Sequence, residues 1–317
     1  MNLIIWILIF LAGLAALIKG ADYLLEGAEK IGLRLGLSSF VVGVVFVGFG
    51  TSLPELVSSF VAVFKGIPEV VVANAVGSNI ANILLVVGIS AFVARKLTVS
   101  KNLIDSELPM LAISTVIFLG VIYDGSVSFG ESFFLLASYF VYLFYTIYGG
   151  EGDESRKSFS FSLPDKVLAV DIVKLIVGLI ALILGAKYLI DALIHINEIT
   201  GIQTSVISIT AVAIGTSLPE LIVSIKAALK GKTEIAIGNI FGSNSVNALV
   251  VVGLPGLFMT TKSLPIDSTT LLLGMPVMAL ATLIFIISGI SRTIYKWEGM
   301  MFLLFYMLFI LKLFELL

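Results

Sequence analysis

The sequence predicts an all-α integral membrane protein, with ten transmembrane helices arranged as two inverted five-helix repeats. Three observations carry this. Of 317 residues, 59% are hydrophobic and only 13% charged, and the mean hydropathy is +1.13, which leaves far less polar surface than a soluble domain needs. Apolar runs long enough to cross a ~30 Å hydrocarbon core recur along the whole chain. A gap-free internal duplication relates the two halves at an offset of 165 positions, carrying Gly50 to Gly215.

The spans follow in order. Residues 3–24 form the first; because similar runs recur throughout, it is read as a retained span and not a removable signal peptide. The second, 39–64, carries "GTSLPE" from Gly50 to Glu55, and the third, 70–93, carries "GSN" from Gly77. Spans at 107–122 and 129–147 complete the first half, residues 1–148. The hydrophilic stretch "GGEGDESRKSFSFSLPDK", 149–166, is a linker too short for a regulatory domain. The second half, 167–317, supplies spans at 167–190, 205–229 with "GTSLPE" again, 234–258 with "GSN" again, 269–288 and 297–316.

The duplication rests on more than the hexapeptide. The same offset carries Gly13 to Gly178, Gly20 to Gly185, Gly36 to Gly201, Lys65 to Lys230, Gly77 to Gly242, Asn82 to Asn247 and Gly88 to Gly253, with no gap over about 75 residues. Five is an odd number, so the second copy enters the membrane from the opposite side. In secondary transporters so built, the substrate site lies near the midplane between the repeats. Fifteen of the nineteen Lys and Arg fall on the side of the linker, which predicts a cytoplasmic linker and extracellular termini in a multi-pass cell-membrane protein.

Composition also excludes functions. A net charge of -2 gives no footing for nucleic acid, and zero Cys removes disulfides and thiolate chemistry together. The single His195 is a poor start for zinc or haem, and no cofactor is called for. There is no GxxxxGK[ST] loop or aspartyl-phosphate segment to couple ATP, and neither HExxH nor GxSxG to suggest an intramembrane enzyme.

The repeated hexapeptide points to cations. Pro54 has no N–H for the carbonyl of Gly50, and Pro219 leaves Gly215 in the same state, so each helix should open around Thr51 and Thr216. Unpaired carbonyls in hydrocarbon cost several kcal/mol unless they line a cavity or coordinate something. A plain proline kink is the alternative, but it leaves unexplained why Glu55 and Glu220 stand at equivalent positions, each costing roughly 2.5 to 3.5 kcal/mol at membrane depth. Carbonyls, Thr and Ser hydroxyls and carboxylates are hard donors, suited to Ca²⁺, Na⁺ or Mg²⁺. On the next helix of each copy, Ser78 with Asn82 and Ser243 with Asn247 are four apart and share a face. Asn74, Asn79, Asn239 and Asn244 read as packing or supporting groups, and Gly13, Gly20, Gly178 and Gly185 as stripes for close helix contact. Asp22 has no assignable role. Two carboxylates neutralise one divalent or two monovalent cations, and without ions they repel, so the site should cross the membrane only when loaded.

"GFGTSLPELVSS" from Gly48 with "ANAVGSNIANILLVVG" from Ala73, and "AIGTSLPELIVS" from Ala213 with "GNIFGSNSVNALVVVG" from Gly238, resemble the paired alpha-repeats of the cation/Ca²⁺ exchanger superfamily, in its archaeal and bacterial Na⁺/Ca²⁺ exchanger branch. The resemblance implies that Glu55, Glu220, Thr51 and Thr216 bind Ca²⁺. It implies that Ser52, Ser217, Ser78, Ser243, Asn82, Asn247 and the carbonyls of Gly48 and Ala213 contribute to Na⁺ sites. It further implies sliding of the first and sixth helices as a pair, and electrogenic exchange of several Na⁺ for one Ca²⁺. Some relatives, notably K⁺-dependent ones, carry Asp where this chain has Asn247, which argues against K⁺ co-transport. The runner-up is an H⁺/Ca²⁺ or broader divalent-cation antiporter on the same scaffold. The expected partners are Ca²⁺, Na⁺ and the bilayer, with no obligatory protein partner and a functional monomer.

Overall fold

The computed structural model describes residues 3–98, 107–148, 169–200, 217–259 and 263–315, and among these the chain is helical apart from two short ribbons. Ten helical segments follow one another: α1 Leu3–Arg34, α2 Ser39–Phe64, α3 Glu69–Ala94, α4 Leu108–Ile122, α5 Phe129–Tyr148, α6 Ala169–Thr200, α7 Leu218–Leu229, α8 Thr233–Gly256, α9 Thr270–Ile290 and α10 Lys296–Leu313. Seven of them, α1, α2, α3, α5, α6, α8 and α9, are long and apolar enough to cross a membrane, while α4 is apolar but shorter. α7 is the second part of the expected span 205–229; the first part, and the linker 149–166, lie outside the described residues.

Two expected spans are too short. α1 and α6 are each 32 residues, continuing past 24 to Arg34 and past 190 to Thr200, about 48 Å at the helical rise. In α1 the extension is mostly good helix formers, with Gly27 and Gly32 the exceptions, and it keeps a buried stripe through Leu25, Ala28 and Ile31 while its charged side chains find partners. Hydropathy marks where the apolar run ends, and the helix outlasts it.

α1 and α6 pack antiparallel with their backbones nearly touching. A Cβ at Gly13 would lie 3.0 Å from the carbonyl oxygen of Gly185, and one at Gly20 would lie 2.9 Å from that of Gly178. At Gly27 it would meet the amide nitrogen of Leu175 at 2.7 Å. The glycines read from the sequence as contact stripes therefore face one another. The same device joins α2 to α8, where a Cβ on Gly43 would sit 2.6 Å from the carbonyl of Ile235 and one on Gly242 2.6 Å from that of Val44.

α8 lies at the centre, with its whole apolar window buried, whereas only 17% of that of α1 is. Phe241 of α8 sits edge-on between Phe40 of α2 and Phe285 of α9, both at 5.6 Å between ring centres. Two antiparallel ribbons, β1 Lys96–Thr98 with β4 Thr293–Tyr295 and β2 Ser126–Ser128 with β3 Ser263–Pro265, stand one at each end of α9. Each joins a strand from before residue 149 to one from after 166.

Candidate cation-binding site

The break in α2 falls at Ser52, one residue later than expected. Its backbone angles, φ -85° and ψ 3°, leave the helix, and a new helical stretch begins at Leu53 with Pro54 in its first turn. Proline is tolerated there because the first-turn N–H groups have no helical acceptor anyway, so the opening is displaced to the residue just ahead of that turn. Ser217 repeats this with φ -88° and ψ 7° before Leu218 and Pro219. Thr216 and Ala213 lie outside the described residues. Both glutamates consequently occupy the first turn of a half-helix, where the unpaired amide end carries partial positive charge and favours an anion.

Backbone contact between α2 and α8 positions the next groups. A Cβ on Gly48 would meet the Gly242 Cα and the Ser243 nitrogen at 2.9 Å. Thr51 Oγ1 consequently lies 3.2 Å from Ser243 Oγ and 3.1 Å from Asn239 Oδ1, and Ser243 Oγ donates to the carbonyl of Gly48 at 3.2 Å. Ser52 Oγ donates to Oε1 of Glu220 at 3.2 Å, bridging α2 to α7. Of the expected groups, Thr51, Ser52, Ser243, the Gly48 carbonyl and Glu220 are thus joined by hydrogen bonds.

The remaining expected residues among those described are buried, most of them with polar atoms left unpaired. Glu55, Glu220, Asn82 and Asn247 are fully buried, and Ser217 and Ser78 nearly so. Both carboxylate oxygens of Glu55, Oε2 of Glu220, both amide ends of Asn82 and Asn247 and the Ser217 hydroxyl have no hydrogen-bond partner among the described residues. A buried polar group left unpaired is costly, and here five expected site residues with unpaired atoms come from the four helical segments that carry the repeated motifs. A cation satisfies carboxylate, hydroxyl and amide oxygens together. No group of three or more His, Cys, Asp or Glu side chains placed to hold a metal ion occurs among the described residues.

Asn82 and Asn247 have a further common feature. Each lies in a π-helical stretch, Ala81–Val87 in α3 and Val246–Val251 in α8. Wider turns of this kind are rare and concentrate at functional sites. Residue spacing carries no signal for them.

Sequence reasoning treated Asn74 and Asn239 only as support and passed over Ser224. Asn74 Nδ2 reaches the carbonyl of Glu55 at 3.4 Å and Ser58 Oγ at 3.1 Å, and Asn239 Nδ2 reaches the carbonyl of Glu220 at 3.3 Å and Ser224 Oγ at 2.8 Å. The offset that pairs Ser59 with Ser224 was the available signal.

The family model described as sodium/calcium exchanger protein matches residues 5–148 and again 170–314. The chain belongs to the sodium/calcium exchanger family. It is 34% identical to the sodium/calcium exchanger MaX1 of Methanosarcina acetivorans, over 97% of this chain and 98% of that one. It is 33% identical to the inner membrane protein YrbG of Escherichia coli over 78% of each. Among solved structures it resembles the sodium-calcium exchanger NCX_Mj soaked with zero Na⁺ and Ca²⁺, with a TM-score of 0.83 at 31% identity, covering 98% of this chain and 100% of that one. As a member of a cation/Ca²⁺ exchanger family, this chain is a transporter embedded in the membrane through its apolar helices.

Proposed function

We propose that the chain is a Na⁺/Ca²⁺ antiporter, working by alternating access at a site formed by Glu55 and Glu220, within ten spans arranged as two inverted repeats of 1–148 and 167–317. The observation that carries it is the set of fully buried, partnerless oxygens around two broken helices. Matching of one family model to both halves supports the repeat arrangement, as do equivalent breaks at Ser52 and Ser217 and equivalent π-helical stretches at Asn82 and Asn247. MaX1 and NCX_Mj are named as sodium/calcium exchangers, which supports Na⁺ as the coupling ion.

In this reading Glu55 and Glu220 supply the charge that Ca²⁺ requires. The Thr51 and Thr216 carbonyls complete its oxygens, while Ser52, held on Glu220, Ser78, Ser217, Ser243, Asn82, Asn247 and the carbonyl of Ala213 serve Na⁺; the Gly48 carbonyl, taken by the Ser52 N–H and the Ser243 hydroxyl, acts by orienting Ser243. Since both ions use the same carboxylates, one leaves as the other arrives. Asn247, an amide, supplies no third carboxylate and so no extra charge for K⁺. The termini are extracellular, the linker is cytoplasmic, and one chain suffices.

Reconstitution into proteoliposomes tests the coupling. Ca²⁺ should enter when Na⁺ is trapped inside and diluted outside. Uptake that answers only to a pH gradient would replace this reading with the H⁺/Ca²⁺ alternative.

A further inference from the structure

Asn239 is fully buried on α8, next to the candidate site and absent from its ligand set. Its orientation is determined by chemistry. A backbone carbonyl can only accept, so the amide nitrogen faces the Glu220 carbonyl at 3.3 Å, with Ser224 Oγ at 2.8 Å as its second partner. The amide oxygen is thereby turned to the Thr51 hydroxyl at 3.1 Å.

That contact decides where one proton points. Thr51 Oγ1 has a single proton and three oxygens in reach, Asn239 Oδ1 at 3.1 Å, Ser243 Oγ at 3.2 Å and the Gly48 carbonyl at 3.3 Å; Ser243 has a proton of its own to place, while the nearest, Asn239 Oδ1, and the Gly48 carbonyl only accept. The Gly48 carbonyl already takes the Ser52 N–H at 3.2 Å and the Ser243 hydroxyl at 3.2 Å, one donor for each lone pair. The Thr51 proton therefore goes to Asn239. Both hydroxyls then spend their protons on protein acceptors and keep lone pairs for a cation. Without Asn239, two hydroxyl protons compete for one occupied carbonyl, and one of them turns toward the neighbouring oxygen or the ion.

We propose that Asn239 is a positioning residue for Na⁺ selectivity, orienting the Thr51 hydroxyl as a lone-pair donor to Na⁺. This rests on the functional reading above. Ca²⁺, held chiefly by two carboxylates and carbonyl oxygens, is affected far less. The equivalent residue Asn74 donates to the carbonyl of Glu55, so that bond recurs on the other repeat, while its hydroxyl partner is Ser58 and not Ser59, the equivalent of Ser224.

The test is a double-mutant cycle on the full chain in detergent, titrating Na⁺ and Ca²⁺ separately and reading binding by calorimetry. Asn239→Ala should weaken Na⁺ about tenfold, the scale of one lost hydrogen bond to a site group, and leave Ca²⁺ within about twofold. In a Thr51→Val background the same change should add no more than about twofold, because the hydroxyl it orients is gone. Equal weakening of both ions, or an undiminished tenfold loss on top of Thr51→Val, overturns the proposal. Should Asn239→Ala fail to fold, Asn239→Asp, which keeps the acceptor, should hold Na⁺ where Thr51→Val loses it; loss in the Asp variant alone is equally contrary. Absence of Na⁺-driven Ca²⁺ flux in the wild type sinks the functional reading instead, and it leaves this binding cycle interpretable.

Discussion

Ser52 and Glu220 are 168 positions apart, yet the hydroxyl of the one donates to the carboxylate of the other at 3.2 Å, with both side chains buried. Ser52 is the residue at which α2 breaks, and Glu220 stands in the first turn after the matching break at Ser217. One helix break thus supplies a donor to the carboxylate that follows the other. Ser52→Ala leaves Oε1 of Glu220 without this donor. Hydrogen bonds to charged groups contribute about 1.5 to 3 kcal/mol, so Ca²⁺ binding in this variant should weaken about tenfold or more. Calorimetric titration beside the wild type checks it.

The α1–α6 contact predicts opposite outcomes for two glycines. A Cβ at Gly178 would meet the Leu24 amide nitrogen and, at 2.8 Å, the Gly20 carbonyl, both rigid backbone. Gly178→Ala should cost about 1 to 3 kcal/mol by overpacking. Gly120, inside α4, has nothing within 4 Å of a Cβ among the described residues. Gly120→Ala should be neutral or stabilise by up to about 1 kcal/mol through helix propensity. Thermal unfolding in detergent separates the two.

Asp22, for which the sequence offered no role, is held by Lys226 of α7 at 2.7 Å and by Lys230 just past its end at 2.8 Å, and Glu29, on α1 like Asp22, pairs with Lys232. These ion pairs tie α1 to the segment that carries Glu220. Asp22, Lys226 and Lys230 are each a quarter to nearly half exposed, so each pair contributes at most about 1 kcal/mol and is screened by salt. Asp22→Asn should lower thermal stability modestly at low ionic strength, and the difference from wild type should shrink in molar salt. A deficit unaffected by salt would assign the loss to packing.

What could be read in advance follows from the range of each interaction. "GTSLPE" at the two equivalent places exposed the glutamates and the helix breaks, because proline and a membrane carboxylate are local signals that need no partner to interpret. The Ser52–Glu220 and Thr51–Asn239 hydrogen bonds were out of reach: they depend on how α2 crosses α7 and α8. The crossing at Gly43, Gly48 and Gly242 shows in sequence only as glycine, which says that something approaches and not what. The shift of the break from Thr51 to Ser52 came from proline's fit in a first helical turn, and the two ribbons are three residues per strand, too short for an alternating pattern to show. The charged end of α1 looked like the end of a span because hydropathy does not count the ion pairs that Glu26 and Glu29 make with the distant Lys174 and Lys232.

In the proposed function, Ca²⁺ and Na⁺ take turns on the same buried oxygens. The most direct measurement is calorimetric Ca²⁺ binding at rising Na⁺, in the wild type and in Glu55→Gln and Glu220→Gln. Na⁺ should weaken Ca²⁺ binding competitively, without lowering the number of sites. Each Gln variant should lose roughly a hundredfold or more in Ca²⁺ affinity, corresponding to about 3 kcal/mol for removing one partner of a buried charge interaction. Ca²⁺ affinity indifferent to Na⁺, or retained in either Gln variant, would contradict the account.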